Sequence, residues 1–519
     1  MSALRAAGVV SAFILVSRVL GVVREQVFAA LLGAGLHADA YQIAFRIPNL
    51  LRDLFAEGAL SAAFVPIYAR LARQEGRAAA QRLAARLLTL LAVGLGALAL
   101  LAIVLAGPLV AVLAPGFGAV AGKLELTVLL TRVMLPFLPL ISCAALAMGM
   151  LNAEERYAAP AFAPAMFNVV AIVMGLALWA QGFAAEQVAL GWAVGTLLGG
   201  LAQFAIQVPA LRAGGFRFRP EWAPRDPGIR QVALLMGPAT AGLAAVQVNI
   251  FVNSIFASHE PGAVSWLNYA FRILYLPIGL FGVAAGTVTA TGLAKRAAEQ
   301  DMEGLRDTLR RSLRMLAFLT IPATAGLLAL GVPIVRLLFE RGRFGPLDTE
   351  RTAVALAYYG AGLVAYAAVK VLAPAFYALG RPRLPLLASV AAVATNLVLN
   401  LSLYEQLGFR SVALGTSLGA LVNAAVLLLA FERQLGGLFR DGLARAVALM
   451  TLAALVMAPA VFGLSRWLQA SLGTHGLAVQ ALTTFAGVGF GALVYFGVSA
   501  ALGLPEAGRL LSVVRRPSP

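Results

Sequence analysis

Cysteine, histidine, lysine and acid are all scarce in this chain of 519 residues. The lone Cys143 lies in an apolar run, which excludes a disulfide framework and a cysteine metal site. Three histidines, His37, His259 and His475, map to connections between apolar runs and never adopt metal-ligand spacing. Only 12% of residues are charged, against about 25% in a soluble domain. What fills the chain instead is apolar: 61% hydrophobic residues and a mean hydropathy of +0.87. This composition describes a polytopic helical membrane protein. The basic excess, +17, does not point to nucleic acid, because most of it falls in short connections between apolar runs, where it orients a membrane protein. The first apolar segment continues into Arg18 and Arg24 past any small-residue cleavage site, so no cleavable signal peptide is read there.

Apolar runs of about 20 residues bounded by charge, Gly or Pro give fourteen expected spans: 5–32, 38–69, 84–114, 124–151, 158–181, 186–211, 231–258, 264–294, 312–335, 352–379, 385–404, 411–432, 446–465 and 476–503. With the N-terminus placed in the cytoplasm, 26 basic residues fall on that side, 7 on the other and 7 within spans. Both termini are therefore expected to be cytoplasmic. The connection 336–351, which holds four arginines with Glu340, Asp348 and Glu350, runs against the bias.

A faint repeat supports a duplicated bundle. Ala44-Phe45-Arg46-Ile47 recurs as Ala270-Phe271-Arg272-Ile273, and Arg70 and Arg296 each follow the repeated arginine by 24 residues. These segments lie in the second and eighth spans, six crossings apart, which makes the halves parallel repeats about an axis along the membrane normal. The expected fold is all-α: two pseudo-repeated six-helix lobes, 1–212 and 213–433, followed by two additional helices in 434–519. Such paired halves suit alternating access around a site near the midplane.

Five arginines, Arg18, Arg24, Arg46, Arg52 and Arg272, sit inside spans with Asp39 and Glu57 as the acids set against them. Facing lipid, they would cost roughly 12 to 18 kcal/mol together, at roughly 2.5 to 3.5 each. They are expected to line a wet cavity, and a cationic cavity takes an anion. Each of the pairs Arg18/Arg24 and Arg46/Arg52 is six residues apart, about 120° around a straight helix. Gly21 and Pro48 lie between them as candidate hinges that would turn the guanidiniums toward one volume. Arginine suits a pyrophosphate, because its planar fork donates two parallel hydrogen bonds and keeps its charge. The competing structural reading pairs Arg46 with Asp39 and Arg52 with Glu57, and makes Asp39 a helix cap. Arg132 and Lys370, isolated in their spans, read as structural or snorkelling cations.

Ser17-Arg18-Val19-Leu20-Gly21 with Arg24, Gly33-Ala34-Gly35 with Asp39-Ala40, Pro48-Asn49-Leu50-Leu51-Arg52, Phe55-Ala56-Glu57-Gly58-Ala59 and Ala63-Phe64-Val65-Pro66 resemble the MurJ (MviN) lipid II flippases of the MOP exporter superfamily. The match is dense over about the first seventy residues and returns around 269–286. The resemblance implies export of lipid II, the undecaprenyl-pyrophosphate-linked peptidoglycan precursor, across the bacterial inner membrane. By that resemblance Arg18, Arg24, Arg52 and Arg272 bind the anionic head group and Asp39 is functionally sensitive; with Asp39, the residues Arg46, Glu57, Ser17 and Asn49 are read as supporting the cavity. It also implies a lipid-tail groove on the last two helices, and cell-wall synthesis proteins as possible partners. No cofactor, metal or nucleic acid is expected.

Three departures from the family pattern stand out: Glu25 where Asp is common, Phe271 where an acid often precedes the arginine, and Asn249, Asn253, Asn396 and Asn400 where some members use carboxylates for sodium. The alternatives are a flippase for another polyprenyl-pyrophosphate glycan, a MATE-like drug exporter, or an intramembrane enzyme on lipid-linked sugars. The exporter would need acids for cationic drugs, and the enzyme a positioned acid, histidine or metal set.

Overall fold

The computed structural model describes residues 3–55, 58–439 and 442–508, and among these every regular element is helical. Two compact units arise, one of residues 1–265 with 341–344, the other of 266–340 with 345–519.

The first unit begins with α1 (Ala3–Leu32), α2 (Leu36–Phe55), α3 (Gly58–Gln74), α4 (Arg77–Val104) and α5 (Ala106–Leu113). It continues through α6 (Lys123–Met134), α7 (Phe137–Ala153), α8 (Ala158–Ala180), α9 (Ala185–Ala205), α10 (Val208–Ala213) and α11 (Pro227–Ala257). Its main core joins α3, α4 and α7 through Phe64, Tyr68, Leu83, Leu87, Leu146 and Met150, all buried. α1 packs along α8, α2 along α6, and α11 against α2 and α3. Large stretches of α1 stay uncovered, with Leu15, Val16, Val19, Val22 and Val23 exposed. Exposed apolar patches of this kind mark surfaces that meet lipid, a ligand or a partner.

The second unit is built from α12 (Ala263–Pro277), whose first three residues belong to the first unit, α13 (Ala284–Ala298), α14 (Met302–Phe339), α15 (Pro346–Gly360) and α16 (Leu363–Ala378). It ends with α17 (Arg383–Leu407), α18 (Phe409–Leu435), α19 (Leu443–Leu472) and α20 (Leu477–Ala501). A π-helical stretch, Ile278–Val283, joins α12 to α13 directly after Pro277, whose missing N–H breaks the α-helical ladder. Small residues set the closest approaches. A Cβ on Gly419 of α18 would lie 2.7 Å from the Ala392 carbonyl oxygen of α17, so only hydrogen permits that crossing.

Among the described residues ten helical segments are long and apolar enough to cross a membrane, or eleven when α15 and α16, bent by 45°, count as one span. The sequence reading expected fourteen. The three expected spans not among them, 5–32, 38–69 and 231–258, each lie partly outside the residues whose side chains are described. Within the second of them, the 20 residues of α2 carry Asp39, Arg46, Arg52 and Asp53.

Candidate functional site

Arg18 lies at the middle of the 30-residue helix α1. It is exposed and makes no hydrogen bond or ion pair with any described residue. The neighbouring turn is fixed against α8, where Asn168 donates from Nδ2 to the Ser17 carbonyl oxygen at 3.1 Å. Gly21 faces the same asparagine, and α1 runs unbroken through it. One turn on, Arg24 donates to Glu25 at 2.5 Å and lies 5.0 Å above the Phe167 ring.

Asp39 is fully buried and so is its partner Lys123, with Nζ 2.7 Å from Oδ2. Lys123 also sits 4.1 Å from the centre of the Phe117 ring. The carboxylate accepts further bonds from the Gly262 N–H at 2.8 Å, the Ser265 N–H at 2.9 Å and the Ser265 hydroxyl at 2.6 Å. Gly262 and Ser265 bracket the first turn of α12, where backbone N–H groups lack helical partners and the dipole favours an anion. Asp39 therefore caps α12, a different helix from its own. The expected pairing of Asp39 with Arg46 is replaced by this arrangement, because the ammonium of Lys123 reaches the buried carboxylate from α6. Arg46 donates instead to the Ser254 hydroxyl on α11.

α2 continues through Pro48, which is buried, and Asn49 beside it is half-buried. Arg52 directs two nitrogens at one oxygen of Asp53, Nε at 3.2 Å and Nη2 at 2.9 Å, while Gln247 donates to the other oxygen at 3.2 Å. Glu57, the acid expected opposite Arg52, lies outside the described residues. The counter-charges of Arg24 and Arg52 are thus their immediate successors, Glu25 and Asp53. These acids stand next in the sequence and could have been read there. Lys123 carried a fainter signal, as one of three lysines in a chain whose other bases are arginine.

In the second unit Arg272, on α12, donates from Nε to Asn268 Oδ1 at 2.8 Å, one turn back. Its neighbour Phe271 meets Tyr359 and Tyr366 edge-on, at 5.4 and 6.3 Å between ring centres. Arg272 lies five residues before Pro277 and the π-helical stretch. Asn396 and Asn400 of α17 are buried and satisfied locally: Asn400 donates to Asn396 at 3.0 Å and accepts from Ser411 at 3.2 Å. Arg132 donates to the Ile103 carbonyl at the end of α4, and Lys370 is exposed on α16.

Arg18 is exposed, and Arg24 and Arg52 each meet the carboxylate of the next residue. Partly exposed pairs of this kind contribute only about 0 to 1 kcal/mol, whereas bidentate phosphate bonding is stronger and geometrically specific.

Residues 28–482 match the family model described as lipid II flippase MurJ. A probable lipid II flippase MurJ of Vibrio cholerae is 36% identical over 96% of this chain and 95% of its own length. The lipid II flippase MurJ of Burkholderia cenocepacia is 34% identical over 98% of this chain and 99% of its own. A solved lipid II flippase MurJ in an inward closed conformation superposes with a TM-score of 0.77 at 24% identity, over 95% of this chain and 98% of that one. An inward-facing MATE multidrug transporter of the MOP superfamily shares the fold at a TM-score of 0.68 and 18% identity, over 82% and 96%. The chain belongs to the MurJ family of lipid II flippases.

Proposed function

We propose that this protein carries lipid II from the inner to the outer leaflet of the bacterial cytoplasmic membrane by alternating access, and that Arg18, Arg24, Arg52 and Arg272 hold its pyrophosphate. The observation that carries the reading is Arg18. An exposed guanidinium halfway along an apolar helix would cost roughly 2.5 to 3.5 kcal/mol in lipid, so its place is explained by water and an anionic ligand.

The substrate poses a divided problem. Its sugar-peptide pyrophosphate needs a hydrated cationic path, while its polyprenyl tail is at home in hydrocarbon. A laterally open cavity serves both. Glu25 and Asp53 then act as resident acceptors that keep Arg24 and Arg52 extended until phosphate oxygens replace them. Asp39, Arg46, Glu57, Ser17 and Asn49 support the set, with Gly21 and Pro48 as flexing points. A membrane potential positive outside by about 100 mV would favour outward movement of each negative charge by about 2.3 kcal/mol.

Residues 1–212 and 213–433 form the two repeated lobes in this reading, and the helices of 434–519 guide the tail. The inward side carries both termini. A MATE-like exporter shares the fold, but cationic drugs call for a carboxylate-lined cavity.

The test is delivery of labelled lipid II to the outer leaflet in cells depleted of their own flippase. The wild-type chain should restore delivery. Arg18→Ala, Arg24→Ala, Arg52→Ala and Arg272→Ala should each reduce it by about tenfold or more, the loss expected from one charge-assisted bond. Four inserted, folded variants that deliver at the wild-type rate would overturn the binding assignment.

A further inference from the structure

The second unit also contains a cavity of about 530 Å³ between α13 and α14, made from residues that the transport reading does not use. Arg310, Arg311, Arg314, Ser312 and Thr289 line its polar side, and Glu506, which follows α20, closes one end. Ala285, Val288 and Met315 supply the apolar wall.

The polar side is organised with spare donors. Arg314 gives Nε to the buried Glu506 at 2.8 Å, and its two terminal nitrogens bond to no described residue. Arg311 reaches only Asp307, at 3.4 Å, and its side chain is 70% exposed. Arg310 is held closer, at 2.7 Å from the same aspartate. Thr289 donates to the Ser312 oxygen at 2.8 Å, which leaves the Ser312 hydroxyl proton without an acceptor among the described residues.

Charge and depth narrow the ligand. The lining brings together three guanidiniums and the carboxylate of Glu506, an excess of positive charge that suits a phosphate. α14 is 38 residues long, about 57 Å at 1.5 Å per residue, and so exceeds a hydrocarbon core of about 30 Å. Between Arg314 and Arg336 of this helix, residues 315–335 carry no charge. The cavity therefore lies where the helix passes from headgroups into hydrocarbon. Leu280, Val283 and Val288 are exposed along the adjoining chain, an apolar surface suited to an acyl chain.

We propose that this cavity binds the headgroup phosphate of an anionic glycerophospholipid, with Arg311, Arg314 and the Ser312 hydroxyl donating to its oxygens. Basic pockets between membrane helices at headgroup depth are suited to such ligands. The proposal is independent of the lipid II assignment, because none of the residues lining this cavity is assigned to that substrate.

Native mass spectrometry of the purified full-length protein tests it, with phosphatidylglycerol, phosphatidylcholine or inorganic phosphate added separately and in competition. Phosphatidylglycerol should bind with a preference of about tenfold over phosphatidylcholine, and Arg311→Gln with Ser312→Ala should weaken it by about tenfold, the size of one or two charge-assisted hydrogen bonds. Both substitutions fall on partly or fully exposed side chains that leave the Arg314–Glu506 bond intact. Equal retention of the two lipids, or unchanged binding by the folded double variant, would overturn the site. Displacement of phosphatidylglycerol by millimolar inorganic phosphate would overturn the lipid assignment in favour of a soluble phosphate.

Discussion

A buried carboxylate with four donors around it, Asp39, is the most strongly determined side chain in the first unit. Its attraction to Lys123 is offset by the cost of taking both charges out of water, so the pair contributes more to a unique arrangement than to net stability. Removing one member leaves the other charge stranded. Asp39→Asn or Lys123→Met alone should destabilise by about 3 to 5 kcal/mol, and the double variant by clearly less than the sum, as measured by thermal unfolding in detergent. Additive losses would show that the two side chains act separately. The acidic character of Asp39 was legible in the sequence, whereas its partner, 84 positions away, was not. Periodicity places both residues on helices but says nothing about which faces meet. Glu25 and Asp53, which meet Arg24 and Arg52, stand one residue on from each arginine, at positions that point about 100° apart on a helix. Long arginine stems cover that angle.

At the scale of elements, α13 meets α16 backbone to backbone. A Cβ on Gly286 would lie 2.5 Å from the Lys370 carbonyl oxygen, a contact no side-chain rotation relieves. Gly286→Ala should cost about 1 to 3 kcal/mol by overpacking. Gly292→Ala, on the same helix, meets only the Thr308 methyl at 3.6 Å and should be neutral or mildly stabilising. Comparing the two melting temperatures checks the crossing. The start of α14 offers a pH test. Asp301 accepts from the Gly304 N–H at 2.8 Å and from Arg296, and these contacts hold its carboxyl below the ordinary value. The unfolded chain binds a proton first as pH falls, so this contribution is complete above the unfolded pKa and disappears through the lowered folded one. Asp301→Asn should melt below the wild type near neutral pH, and the two should converge in acid. A constant gap across the titration would remove the charge from the explanation. The helices themselves were legible as apolar runs. The π-helical turn after Pro277 was not, since a proline predicts a disturbance without its form.

For the whole molecule, the distribution of arginine and lysine makes the strongest remaining prediction. With 26 basic residues in connections on one side and 7 on the other, a fluorescent reporter that matures only in the cytoplasm should light up at either terminus. The same reporter placed in the 336–351 connection should stay dark. A bright reporter there, with dark termini, would invert the topology and with it the inward side of the proposed cycle.

Composition and spacing by themselves determined that this chain crosses a membrane many times, and that arginines stand within apolar segments where an anion could meet them. These are properties of transfer free energy, which depends on what a residue is and on its near neighbours in the chain. Only the tertiary structure decided that Asp39 belongs to Lys123 and to the start of α12, that Arg46 turns to Ser254, and that Arg310, Arg311 and Arg314 share a cavity with a residue from beyond α20. Those contacts depend on which helix faces meet, and direction in space is information that a one-dimensional pattern of polar and apolar positions does not contain.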